Sequence, residues 1–205
     1  MKRRFSMIAL ALVAALALAA CGDDQNSTNT NTNSNSNSNS STSSTSTSFN
    51  DADVTFAQSM IPHHQQAVTM AKMARSHASS AEVKSLATRI EAAQGPEIAT
   101  MTGWLNAWGK DVPSGSGMGG MDHTMGGDGM PGMMGESEMN DLDTASGAGF
   151  DRMFLTMMIE HHTGAIEMAK TEQSEGESSD AVALAKKIEA DQTAEIAVMK
   201  DLLKS

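Results

Sequence analysis

Apolar and polar positions alternate along most of this chain with the period of an α-helix. From Asn50 or Asp51, either of which suits an N-cap, Phe56, Met60, His63, Ala67 and Met70 recur at helical spacing. Ile61, His64, Val68 and Ala71 form the adjoining row. The pattern predicts a helix to about Ser76. A second helix begins near Ser79 or Ser80 and stops at Gly109, with one stripe of Val83, Leu86, Ala87, Ile90, Gln94, Glu97, Ile98, Met101 and Leu105. The order then recurs: Asp151 through Leu203 aligns without a gap on Asp53 through Leu105. Phe154, Met158, His161, Ala165 and Met168 repeat the first row, and Ile159, His162, Ile166 and Ala169 the second. Gln192 and Glu195 take the places of Gln94 and Glu97. Such a repeat is one supersecondary unit made twice.

Strand-like alternation is almost absent, so the predicted class is all-α. The architecture is a four-helix bundle of two repeated hairpins, residues 50–109 and 150–205, in one domain. The order in which the helices run, with or without a crossover, is left open. Pro62 predicts a kink in the first helix, and Gly95-Pro96 a bend in the second. The second copy has Glu160 and Thr193-Ala194 there, so neither bend belongs to what the copies share.

The remaining segments differ in composition. Residues 1–20 read as an export signal: Lys2, Arg3 and Arg4, then the apolar run Met7 to Leu18. Leu18-Ala19-Ala20-Cys21 resembles a bacterial lipobox, which implies cleavage before Cys21 and a lipid on its thiol. An ordinary signal peptide with an incidental cysteine is the alternative. Residues 21–49 read as a disordered tether, since Asp24 to Ser48 is almost entirely Asn, Ser and Thr with nothing apolar to bury. Residues 110–149 link the repeats and carry Met118, Met121, His123, Met125, Met130, Met133 and Met134 among glycines. A short helix is predicted from Glu138 to Ala145, and the third long helix from near Gly149.

Net charge is −11, with no basic stripe to neutralise phosphates, which excludes nucleic acid as a partner. Cys21 is the single cysteine. Any soft metal ligand must therefore be methionine, as suits an oxidising compartment outside the cytoplasmic membrane. Four of the six histidines form His63-His64 and His161-His162. Neighbours on a helix point about 100° apart, so one pair does not simply chelate one ion. Met60 stands three residues before His63, and Met158 three before His161, which puts sulfur beside imidazole on the helix surface. Met70, Met157 and Met168 are further candidates. Thioether is soft and suits Cu(I); imidazole suits copper in either state, and also zinc or nickel. A Met-plus-His set without cysteine points to copper, with affinity expected to fall as pH drops below about 6.5. Gln94, Glu97, Gln192 and Glu195 lie in line with apolar residues and need partners. They suit the role of hydrogen-bond acceptors that orient ligating rings; the alternative makes Glu97 and Glu195 direct ligands. Methionine stripes are often plain core filling, which suits Met101 and Met199. His77 matches Glu175 in the other copy and reads as a surface residue. The Gly/Met linker is either metal-capturing or merely flexible.

The pattern Met-Ile-x-His-His-x-x-Ala-x-x-Met-Ala, followed by Ile-Glu-x-x-Gln-x-x-Glu-Ile-x-x-Met, resembles the domain of unknown function 305 family from Asp53 to Leu203. The resemblance implies a ferritin-like helical bundle. Its CopM-type periplasmic members are associated with copper binding and copper tolerance. It implies metal ligands at Met60, His63, His64, Met158, His161 and His162. The Met-rich linker is similar to methionine motifs of copper-handling proteins. The Glu-x-x-His motif of ferritins is missing at the paired histidines, where Met60 and Met158 stand instead. The expected protein is thus non-enzymatic and tethered by lipid to the outer side of a bacterial membrane. It would hold copper or pass it to a copper-handling partner. A ferritin-like oxidase and a purely structural bundle are the alternatives.

Overall fold

A computed structural model of the chain describes residues 48–114 and 130–204. Its elements are α1 (Asp51–His77), α2 (Ala81–Trp108), α3 (Glu136–Thr144), α4 (Gly147–Glu175) and α5 (Ser179–Leu202). No strand occurs among the described residues. α1 with α2, and α4 with α5, form hairpins that join along a seam between α1 and α4. The protein is an all-α, four-helix bundle with a short added helix. α1 and α2 continue unbroken through Pro62 and Pro96.

Local chemistry sets the helix ends. The Asn50 side chain accepts from the Ala52 and Asp53 amides, while Asp53 accepts from the Asn50 amide at 2.7 Å. This reciprocal arrangement is a capping box. Ser80 caps α2, and Gly109 ends it at φ 66°, a conformation glycine adopts without a Cβ clash. The short helix begins at Glu136, two residues before the expected start, because the Glu138 carboxylate accepts from the Gly135 amide at 2.8 Å.

Two aspartates tie the hairpins together. Asp53 also accepts from the amides of Glu177 and Ser178, at 3.2 and 3.0 Å, in the α4–α5 turn. Asp151 accepts from the amides of Ser79 and Ser80, at 3.1 and 2.9 Å, in the α1–α2 turn. These positions are equivalent under the repeat. The start of α1 thus lies beside the end of α4 and the reverse, so α1 and α4 run antiparallel about a pseudo-two-fold axis.

The core divides into two clusters. One gathers Met70, Leu86, Ile90, Phe150, Phe154, Met157 and Met158; the other gathers Phe56, Met60, Ile61, Met101, Leu105 and Ile188. The paired histidines fall between them along α1 and α4. One expectation changes. His77 is half-buried, not a surface residue: its ring lies 5.5 Å from that of Phe150, where the last turn of α1 meets the first turn of α4. The end of the inter-repeat segment is also folded, since Met134, Met139 and Leu142 are buried in the larger cluster.

Candidate metal centre

All four paired histidines have no exposed surface. The pseudo-two-fold axis brings equivalent residues together, and the His63 and His161 rings meet at a centroid distance of 3.7 Å, tilted by 38°. His64 and His162 turn outward from this contact to the second helix of their own hairpins. His64 Nε2 lies 2.9 Å from Glu97 Oε2, and His162 Nε2 lies 2.6 Å from Glu195 Oε2. His63 Nε2 lies 3.0 Å from the Pro131 carbonyl oxygen.

These contacts fix the tautomers. A carbonyl or carboxylate oxygen only accepts, so Nε2 of His63, His64 and His162 carries the proton. The lone pair is then on Nδ1. In His63, His64, His161 and His162 alike Nδ1 is buried without a hydrogen-bond partner, and His161 Nε2 is in the same state. Leaving one buried polar atom unpaired costs about 1–3 kcal/mol. Of these five orphaned ring nitrogens one His161 nitrogen carries the ring proton, and the other four, each with a lone pair, fit a site that receives an electron-pair acceptor. The ring chemistry suits a borderline or soft cation.

Burial also favours the neutral form of His63, His64 and His161, as ligation requires. Desolvation, helped by neighbouring His64, drives His63 from 6.5 to about 3. Desolvation, then His63, holds His161 well below its ordinary value. Burial lowers His64 too, although Glu97 opposes it. Protons thus compete for these nitrogens only in acid stronger than the pH of about 6.5 expected from the free side chain. Burial by itself raises Glu97, but hydrogen bonds from His64 and Lys187 hold it below the usual range. Lys187 of α5 donates to Glu97 Oε1 at 2.9 Å and to Asp191 at 2.7 Å. Its counterpart, Arg89, turns to Ser85 instead, so the two His–Glu pairs sit in unequal fields.

The other predicted residues are placed as follows. Met70, Met157 and Met158 lie in the larger cluster with Met134, and Met60 lies in the other. Met168 lines a cavity near the start of α1. Met130 and Met133 are half-buried. Gln94 and Gln192 are buried but bond to no ring; both amide atoms of Gln94, and Oε1 of Gln192, lack partners. The expectation that they orient imidazoles is therefore corrected, because the glutamates one turn on take that position. Cys21, Met118, Met121, His123 and Met125 lie outside the described residues. Among the described residues, no three of His, Cys, Asp and Glu converge as a metal group. Imidazole and carboxylate alone do not close a coordination sphere, and thioether is the remaining soft ligand on these helices.

Sequence reasoning missed the Pro131–Met134 strap. Gln66 donates to the Met134 carbonyl and accepts from the Met134 amide, both at 2.8 Å. Its counterpart in the repeat is Gly164. A Cβ there would collide with the Pro131 carbonyl, and one on Gly132, at φ 74°, would come within 2.6 Å of the Glu160 carbonyl. The strap thus needs a long amide on one helix and no side chain on the other. It lies across the seam, where Pro131 accepts from His63. The unlike pair Gln66/Gly164 inside an otherwise retained motif was the available signal.

Comparison with known proteins agrees with this architecture. A secreted-protein candidate of the domain of unknown function 305 family from Streptomyces coelicolor is 36% identical over 75% of this chain and 92% of its own, with a TM-score of 0.67. CopM in its Cu(II)-bound form is 36% identical over 74% of this chain and 95% of its own, at a TM-score of 0.63. In its Cu(I)-bound form it is 34% identical over the same shares, at 0.60. No curated protein matches. The profile of the domain of unknown function 305 covers residues 53–203, which spans both His-His motifs and all four long helices. By that match the chain belongs to the domain of unknown function 305 family.

Proposed function

We propose that this protein is an exported, lipid-anchored copper-binding protein that sequesters copper or passes it on, without catalytic turnover. The observation that carries the reading is the layer of buried imidazoles whose Nδ1 atoms have no partner. A cation arriving there replaces unpaired lone pairs with bonds. Copper is favoured over zinc because the soft ligands carried by the same helices are thioethers and no cysteine lies in the bundle. The likeness to CopM, solved with Cu(I) and with Cu(II), supports the same metal. Export is supported by the leader-like residues 1–20, and anchoring by Cys21 at the lipobox-like site.

The test is metal titration of the protein under reducing and oxidising conditions. Copper is expected to bind more tightly than zinc, and joint replacement of His63, His64, His161 and His162 to abolish binding. Retained binding in that variant would sink the reading. The Glu97–His64 and Glu195–His162 bonds favour a second reading, a structural bundle with no cargo. It predicts that added copper leaves the melting temperature unchanged, whereas a bound cation raises it.

The carboxylates face Nε2–H, so on the copper reading they orient and enrich the rings. Glu97→Gln is expected to weaken copper binding about tenfold to a hundredfold, as loss of such a partner does elsewhere. Competition against a chelator of known affinity measures it. Unchanged affinity would show that the carboxylate does not act through His64.

A further inference from the structure

No ion reaches the paired rings while the bundle is closed, because none of the four has exposed surface. Part of the structure must open, and local openings occur where few side chains are buried and few bonds hold. Within each hairpin the helices pack directly, which leaves two faces of the histidine layer. Between α2 and α5 the way is barred by Glu97 and Glu195, whose carboxylates accept from ring N–H groups at 2.9 and 2.6 Å. Lys187 of α5 clasps Glu97 from outside, at 2.9 Å. Such charge-assisted bonds are roughly twice as strong as neutral ones. Over the seam between α1 and α4 the cover is the strap, which is fastened by neutral bonds.

The strap is a tight turn in which the Met133 amide donates to the Met130 carbonyl at 3.1 Å. Gly132 seats on the α4 backbone at Glu160 and His161, and the Pro131 carbonyl accepts from the His63 ring. The strap therefore touches both central histidines, one at its ring and the other at its backbone. Its fastenings are few. Pro131 is exposed, Gly132 and Met133 are half-buried, and Met134 alone of these four is packed into the core. Pro131 has no amide proton to strand when the strap lifts. Gln66 is the latch, since one side chain makes both bonds to Met134. Beyond Met134, α3 is fixed by buried Met139 and Leu142, which gives the strap a rooted end.

We propose that the strap of residues 131–134 is the gate of the histidine layer, latched by Gln66, and that its opening sets the rate at which a cation enters and leaves. The inference takes its cargo from the copper reading, whereas the gate rests on the strap's own geometry. A cation on Nδ1 leaves the His63 Nε2–H in place, so the Pro131 carbonyl accepts again and the strap closes over a loaded site. The closed strap is thus common to the empty and loaded states. Weakening the latch speeds entry and release alike and leaves Kd unchanged, because neither state is favoured over the other. Loss of two neutral hydrogen bonds from the closed strap moves its opening equilibrium about tenfold to a hundredfold.

The experiment compares the full-length protein with Gln66→Ala, which circular dichroism checks for folding. Stopped-flow mixing with Cu(II) gives the association rate, and transfer to excess chelator gives the release rate. Both are expected to rise about tenfold to a hundredfold in Gln66→Ala, with the same Kd. A metal-free probe runs beside it: diethyl pyrocarbonate acylates an unprotonated imidazole nitrogen, and mass spectrometry locates the adduct. Modification of His63 is expected to accelerate in Gln66→Ala by the same factor as copper entry. Unchanged rates would overturn the gate, as would a weakened Kd at an unchanged association rate. Acceleration confined to His64 and His162 would put the entrance between α2 and α5 and overturn it too. If the parent binds no copper, the copper reading fails by itself. The acylation rates then decide the gate, and equal His63 rates in the two proteins would overturn it.

Discussion

Gly164→Ala is expected to lose about 3 kcal/mol of stability, well above the usual cost of a surface change. The added methyl falls on the Pro131 carbonyl, which is backbone and has no rotamer by which to withdraw. The strap must therefore lift. Lifting breaks the two Gln66–Met134 bonds, strips the acceptor from buried His63 Nε2–H, and exposes Met134. Net hydrogen bonds contribute about 1 kcal/mol each, and a buried methionine about 2 kcal/mol. Partial re-docking recovers some of that sum. Urea denaturation gives the number, and limited proteolysis should show new cleavage near residues 130–135. Stability within about 0.5 kcal/mol of the parent, with no new cleavage, would mean that the strap is not held by this contact.

The second large effect is a pH dependence carried by Glu172. In the unfolded chain its carboxyl titrates near 4.5; in the fold, burial and then Asp53 raise it to about 8. Between those values the folded state binds the extra proton, so stability falls as pH rises. The contribution is complete below 4.5 and gone above about 8. At about 1.4 kcal/mol per unit the ceiling is near ~5 kcal/mol. Solvent reaching the cavity reduces this to roughly 2–4 kcal/mol. Glu172→Gln has no charge to bury. It should match the parent near pH 4.5 and exceed it near pH 8.5 in urea denaturation. Asp53 works in the opposite sense. Burial opposes its ionisation, but amides of Asn50, Ser178 and Glu177 lower it, so its contribution is lost only in stronger acid. Parallel stability–pH curves for the two proteins would refute the assignment to Glu172.

The sequence was most informative where one helix face repeats. Periodicity and caps placed the four long helices to within a residue or two, because the apolar rows, Asn50, Ser80 and Gly109 act locally. The paired histidines were legible because both copies hold them inside the apolar rows, and Glu97 and Glu195 because they stand polar on a buried stripe. The Pro131 carbonyl was not legible, since a backbone acceptor carries no residue signature and its approach depends on Gln66 and Gly164 far away in sequence. Lys187 was equally hidden: a lysine on a helix face looks solvated until α5 is placed beside Glu97. Met168 looked equivalent to Met70 by alignment. It packs only half-buried against the smaller cluster and lines a cavity, because small Ala52, Thr55 and Ser59 stand where the other repeat has larger residues.

The exchanged aspartates bear on origin. Each hairpin uses a carboxylate from the other to complete its turn, so neither is finished alone. Identical subunits paired about a real dyad would make the same exchange. The bundle thus carries the geometry of a homodimer fused into one polypeptide, after which the halves were free to diverge.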